Sequence, residues 1–354
     1  MKRFIAGLLF PISILLMMLA HRSPVVTERV FSMGMYRFIS ATYGRLFNIF
    51  PFSVSQFLII IFPILAVVYI FAELFIFIRF NTRKNTAKRF GLNVFCTIGV
   101  ISILFTLGAG LNYARLELGD ALGLQVKPSY VYELINLAEV LAEELNHTAP
   151  LVNRNKDGLM VLTDTDTARD AQAIFINAAE EFPVFAGFVP RPKAIIYSEF
   201  MSRLRITGVY SPFTMEAHVN VHVPDFHIPA TMLHELAHFR GIMREDEANF
   251  TAWLMAKDSG NPDFMYSGHM LAFSHTRTQL RRASYEDYRR IMDSLHGYVR
   301  GDINANSAYW RQFTGTLAEI STQANDRYLR ANRQQDGVAS YGRMVDLMLA
   351  YLRK

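Results

Sequence analysis

The chain has 354 residues, 51% of them hydrophobic and only 19% charged, with a mean hydropathy of +0.15. This is apolar for a wholly water-soluble protein and points to a membrane protein. The net charge of +5 is spread along the sequence without a nucleic-acid-binding patch, and a single cysteine, Cys96, excludes an internal disulfide.

Three uncharged or nearly uncharged runs account for the composition. Phe4 to Ala20 follows Met1-Lys2-Arg3, Phe57 to Ile78 carries one acid at Glu73, and Leu92 to Leu111 has no charge and contains Cys96. Each is long enough, or nearly so, to cross a hydrocarbon core of about 30 Å. The first has the basic and apolar regions of a signal peptide. Met18-Leu19-Ala20 is a poor cleavage site, however, so the run is read as an uncleaved span. Arg79, Arg83, Lys84, Lys88 and Arg89 crowd the short loop between spans two and three, which the positive-inside rule puts in the cytoplasm. Lys2 and Arg3 agree with that orientation; Arg22, Arg29, Arg37 and Arg45 lie at lower density in the opposite loop. The expectation is a multi-pass protein of the cell membrane. Residues 1–112 form its membrane region, with spans at about 4–20, 57–78 and 92–111, and residues 113–354 form one extracytoplasmic domain. The bilayer is its first partner, and positive charge beside anionic lipid fits the composition.

Beyond the spans, Val131 to Asn146 has helical periodicity, and Thr167 to Phe182 reads as a second helix ended by Pro183. Lys193 to Tyr197 reads as a short strand. The segment Glu216 to Val223 alternates polar and apolar residues, which predicts a half-buried strand with His218 and His222 exposed. Those two histidines would stand about 13 Å apart, too far for one metal ion.

Immediately after comes His234-Glu235-Leu236-Ala237-His238, with Gly241 and the run Glu245-Asp246-Glu247-Ala248-Asn249 downstream. Chance would put HExxH in roughly one such chain in a hundred, so its surroundings matter. Pro229 suits a first helical turn, with Thr231 close to the start, and Met232, Leu233, Leu236, Ala237 and Phe239 supply an apolar face. Histidines four residues apart share one helix face and can reach one metal ion. Glu235 sits beside that metal, where it can take a proton from a water molecule. A third ligand requires the helix to break, because Glu245 is seven residues past His238, about 10 Å along a straight helix. Gly241 is the residue suited to the turn. Glu245 is then the expected ligand, with Asp246 or Glu247 in its place if the turn is wound differently. Asn249, one turn on, is placed to hold a ligand histidine by a hydrogen bond.

HELAHFRG followed by REDEANF resembles the signature of domain-of-unknown-function family 3810, bacterial membrane proteins grouped with zinc peptidases. More distantly, HExxH with a later E-x-x-A-N resembles the gluzincins, including membrane prenyl-protein peptidases and ImmA/IrrE-type peptidases. That resemblance implies zinc as cofactor, held by His234, His238 and Glu245. It also implies that the strand upstream of the helix pairs with an extended peptide substrate. The chain departs from most gluzincins in the short stretch between His238 and Glu245. HExxHxxG is also similar to metzincins, but their third ligand falls on Arg244, a cation that cannot ligate.

From residue 262 the chain is expected to be mostly helical, through Tyr285 to Leu295 and the apolar Met344 to Leu352. A peptidase needs a hydrogen-bond donor for the oxyanion. Tyr341, on a glycine-flanked turn at a helix start, is the first candidate and Arg343 the second. The expected fold is α+β: three N-terminal transmembrane helices, then a mainly helical zincin-like metallopeptidase domain. The expected function is hydrolysis of peptides or proteins at the outer membrane face, with Glu235 and Tyr341 catalytic. The competing reading is a membrane protein with a structural zinc site or a sensor domain. Nucleic acid is not an expected partner.

Overall fold

A computed structural model of the protein describes residues 2–80, 83–164, 166–334, 337 and 343–354. The chain is mostly helical with one small sheet, and it divides into two compact units. Met1–Leu116 with Ser211–Glu216 form the first, and Glu117–Tyr210 with Ala217–Lys354 the second.

Among its described residues the first unit holds three helices long and apolar enough to cross a membrane. They are Lys2–Arg22, formed by α1 (Lys2–Gly7) and α2 (Leu9–Arg22), then α5 (Val54–Arg79) and α6 (Arg83–Gly108). At 1.5 Å per residue, the 26 residues of α5 or α6 extend about 39 Å, more than a hydrocarbon core. A polar clamp joins these two. Arg89 donates to both Glu73 oxygens at 3.0 and 2.7 Å, and Asn93 donates to the Tyr69 hydroxyl at 2.6 Å. The stretch read from sequence as a loop between spans one and two is helical: α3 (Pro24–Val26), a π-helix over Thr27–Met35, and α4 (Tyr36–Asn48). Glu28 on the π-helix is buried against Arg115, at 2.6 and 2.9 Å. The start of α5 is capped twice. Ser53 accepts from the Gln56 amide, and the Glu216 carboxylate accepts from the Val54 and Ser55 amides at 3.0 and 2.8 Å. An acid there also meets the positive end of the helix dipole.

The second unit runs α7 (Leu118–Ala121), α8 (Val131–Thr148), α9 (Thr167–Glu181), β1 (Lys193–Ala194), α10 (Ser198–Arg203), and all but one end residue each of β2 (Gly208–Ser211) and β3 (Glu216–Val219). It continues with α11 (Ile228–Phe239), α12 (Glu245–Ala256), α13 (Pro262–Ala283), α14 (Tyr285–Ser294), α15 (Gly297–Arg311), α16 (Thr316–Ala331) and α17 (Met344–Leu352). Its core centres on α11, which packs against α9, α12 and α13. Every residue of α11 except His234 is buried, so His234 is where this helix meets solvent.

The sheet departs from the expectation. Its order is β1-β3-β2, and β1 runs parallel to β3 with Lys193 opposite His218. β3 therefore has neighbours on both sides, stops at Val219, and buries all four of its residues. Alternation along Glu216 to Val223 does not mark a solvent face, because His218 is buried and its Nδ1 lies 3.0 Å from the Val209 carbonyl. His222 falls beyond the strand, with Nδ1 2.8 Å from the Tyr309 hydroxyl.

Candidate metal centre

The chain reverses between α11 and α12 through a glycine turn. Gly241 has φ of +83°, which a residue with a Cβ adopts only at a cost. The Gly241 amide donates to the His238 carbonyl at 2.9 Å and the Ile242 amide to the Ala237 carbonyl at 3.0 Å. This pair of bonds is a Schellman closure, satisfying carbonyls that the helix end would leave bare. α12 then starts at Glu245, within reach of the histidines one helix earlier.

Glu245 Oε2 lies 3.2 Å from His234 Nε2 and 3.7 Å from His238 Nε2. The imidazole rings stand 4.6 Å apart at 89°. One ligating atom from each of the three residues fits within a 4.8 Å span, so the group could hold a metal ion. Donors sharing one tetrahedral zinc at about 2.1 Å lie roughly 3.4 Å from each other, the scale of these separations.

The other ring nitrogens are occupied in the way such a site requires. His238 Nδ1 is 2.7 Å from the Ile242 carbonyl, which can only accept, so Nδ1 carries a proton and the neutral ring has its lone pair on Nε2. His234 Nδ1 faces Asn249 Oδ1 at 2.8 Å, to the same effect. Both Nε2 atoms are thereby turned toward Glu245 as donors to a cation.

Charge is concentrated here. Burial pushes the Glu245 carboxyl up, but hydrogen bonds and charge from His234 and His238 outweigh it and hold the group well below the usual carboxylate range. For His238, burial pushes downward, and the bond to Glu245 with the charges of Glu245 and Glu235 raises it to about 9. A divalent cation among these groups would take over the role of the imidazolium protons. Glu235 differs: it is buried, Oε2 has no hydrogen-bond partner among the described residues, and burial raises its pKa to about 7 against the pull of both histidines.

The neighbouring acids are engaged elsewhere. Glu247 Oε1 accepts from the Leu118 amide at 2.7 Å and from Arg244 at 2.9 Å. Asp246 Oδ2 accepts from Arg343 Nε at 3.1 Å. Of the three acids open to the sequence reading, Glu245 is the one brought to the histidines. Arg343 is thus tied to the first turn of α12, and Tyr341 lies outside the described residues.

Other features of the site carry no signal in the sequence. The Ile242 carbonyl that orients His238 is a backbone atom, invisible to any residue pattern. Gly208 on β2 lies against Glu235: a Cβ there would collide with Glu235 Oε1 and come within 2.7 Å of Thr231 Cγ2. His275 on α13 is held down to about 4 by burial, then by the charge of His234, which places it within electrostatic reach of the centre.

The family model described as Protein of unknown function (DUF3810) matches residues 31–349. The chain belongs to this family. The DUF3810 match covers the π-helix from Phe31, spans two and three, and every residue of the candidate metal centre. No curated protein and no solved structure matches the chain.

Proposed function

We propose that this DUF3810 protein is a membrane-anchored zinc peptidase that cleaves peptide bonds at the outer face of the bilayer. The observation that carries the reading is the pairing of a convergent His234, His238 and Glu245 donor set with a buried, unpartnered Glu235 oxygen beside it. Zinc bound by the three donors would supply Lewis acidity, polarising a water and the scissile carbonyl. Glu235 then does the proton work. Its Oε2 takes a proton from the attacking water as the new C–O bond forms, and passes it to the leaving amine as the C–N bond breaks. A carboxyl with a pKa near neutrality is suited to both steps. Asn249 and the Ile242 carbonyl keep the two imidazoles in the donor tautomer throughout.

The sheet supports a place for the substrate, moved by one strand from the expectation. β3 has no free edge, whereas β2 is an outer strand whose Gly208 lies against Glu235. An extended peptide added along β2 would bring its backbone to the general base through sequence-independent hydrogen bonds. Tyr341 is retained as the proposed oxyanion donor. The outward orientation rests on five basic residues at the facing ends of two helices, Arg79 at the end of α5 and Arg83, Lys84, Lys88 and Arg89 in the first turns of α6, where the sequence predicts a loop. A structural zinc site is disfavoured, since such sites are closed by four protein ligands. The cluster has three among the described residues.

Glu235→Gln in the full chain tests the mechanism. Peptide hydrolysis, read by mass spectrometry on a peptide mixture, should fall by about 10²- to 10⁴-fold. Zinc content should stay at the wild-type level. Undiminished hydrolysis, or absence of zinc from both proteins, would sink the assignment.

A further inference from the structure

Residues 23–53 connect the end of α2 to the start of α5, so they run along the membrane face where span one ends and span two begins. Their helices sort by side. Glu28, Phe31, Ser32, Tyr36, Ser40 and Gly44 point inward and are buried. Val26, Val30, Met35, Phe38, Leu46 and Ile49 are exposed, Phe38 and Ile49 at 75% each. Arg22 and Arg29 are exposed among them. Glu28 is the one acid between residues 21 and 55, and it is buried against Arg115. The outer side is therefore both apolar and purely cationic. The apolar run continues through the exposed Ile49, Phe50 and Phe52 into Phe57 at the base of α5, with ring centroids 5.6 and 5.2 Å apart along the phenylalanines.

We infer that the π-helix and α4 form an in-plane anchor seated on the leaflet at that face, taking anionic lipid headgroups as its ligand. Exposed aliphatic and aromatic residues of this number are unfavourable in water, and an amphipathic helix with arginine on its flank resolves this at the headgroup boundary. Lipid is favoured over a protein partner by continuity. The face leads directly into α5, whose apolar residues are almost all exposed. Anionic headgroups are favoured over neutral ones because Arg22 and Arg29 are exposed while the one acid of the segment, Glu28, is buried against Arg115. The inference is independent of the metal centre.

The test uses the full chain with Cys96→Ala, carrying a bimane dye at Phe38→Cys or, as a second reporter, at Leu46→Cys. The protein is placed in phosphatidylcholine vesicles containing a minority of phosphatidylglycerol, with a nitroxide on the acyl chain of one lipid or the other. Both labelled lipids should quench the dye, phosphatidylglycerol about twofold more strongly per molecule. Arg22→Gln with Arg29→Gln should equalise them. Quenching no greater than for the same dye at the exposed Lys156→Cys of the second unit would overturn the anchor. Equal quenching by the two lipids with the arginines intact would overturn the anionic preference.

Discussion

Replacing Asn249 by alanine should weaken divalent-metal binding by about 10- to 100-fold, without touching any proposed ligand atom. The reasoning starts from the 2.8 Å contact between Asn249 Oδ1 and His234 Nδ1. That acceptor keeps the proton on Nδ1; without it the neutral ring can shift the proton to Nε2 and lose the lone pair facing Glu245. A hydrogen bond to a ring that gains positive character is worth about 1.5–3 kcal/mol. At about 1.4 kcal/mol per decade this is one to two decades in affinity. His238 is held by a backbone carbonyl and should be unaffected, so binding is weakened and not abolished. The assay is zinc competition against a chromophoric chelator with the detergent-solubilised full chain. Asn249→Asp, which keeps the acceptor, serves as the control. An alanine variant within about twofold of wild type, or an aspartate variant as weak as alanine, would refute the argument.

Gly208→Ala should lower peptide hydrolysis by at least about tenfold with zinc content unchanged, because its Cβ displaces the Glu235 carboxylate and leaves the ligands in place. Activity and metal analysis on the same sample check this. His269 on α13 is buried, and burial holds its pKa down to about 4 from 6.5. Between those values the unfolded chain binds more protons, so stability falls as pH drops through that window and levels off below it. Roughly 2.5 pH units correspond to at most about 3 kcal/mol. His269→Leu should flatten this part of the pH dependence in thermal unfolding; an unchanged slope would count against it. Glu28→Gln, which removes the carboxylate charge paired with the buried Arg115, should cost about 3–5 kcal/mol. Glu28→Leu with Arg115→Met should recover most of that loss, as read from the unfolding temperatures of the two variants.

Much of the metal centre is legible before folding, because its logic is local. The four-residue spacing of His234 and His238 places them on one face, and a glycine before an acid marks a reversal, seen as the positive φ at Gly241. Which acid completes the cluster is not legible, since each step along α12 turns the side chain by about 100°. Glu245, Asp246 and Glu247 accordingly point to three different partners. The three apolar helices follow from composition. The sheet does not, because period-two alternation cannot distinguish a solvent-facing strand from one enclosed between neighbours, as β3 is. The helices between spans one and two were obscured by scattered arginines. Their outward side mixes apolar and cationic residues, and their one acid is neutralised by Arg115, far along the chain.

The hexapeptide Ser211–Glu216 belongs with the membrane helices although the segments on either side of it belong to the other unit. The polypeptide thus passes between units three times, at residues 116–117, 210–211 and 216–217. A proteolytic nick near residue 116 would cut the one covalent link between the membrane helices and residues 117–354, leaving Ser211–Glu216 as the segment of the released fragment that belongs with those helices. A soluble version begun at Glu117 would carry that hexapeptide away from its partners and strip α5 of its acidic cap. Genetic removal of the spans is therefore a perturbation of both units, and the protein is best handled as one piece.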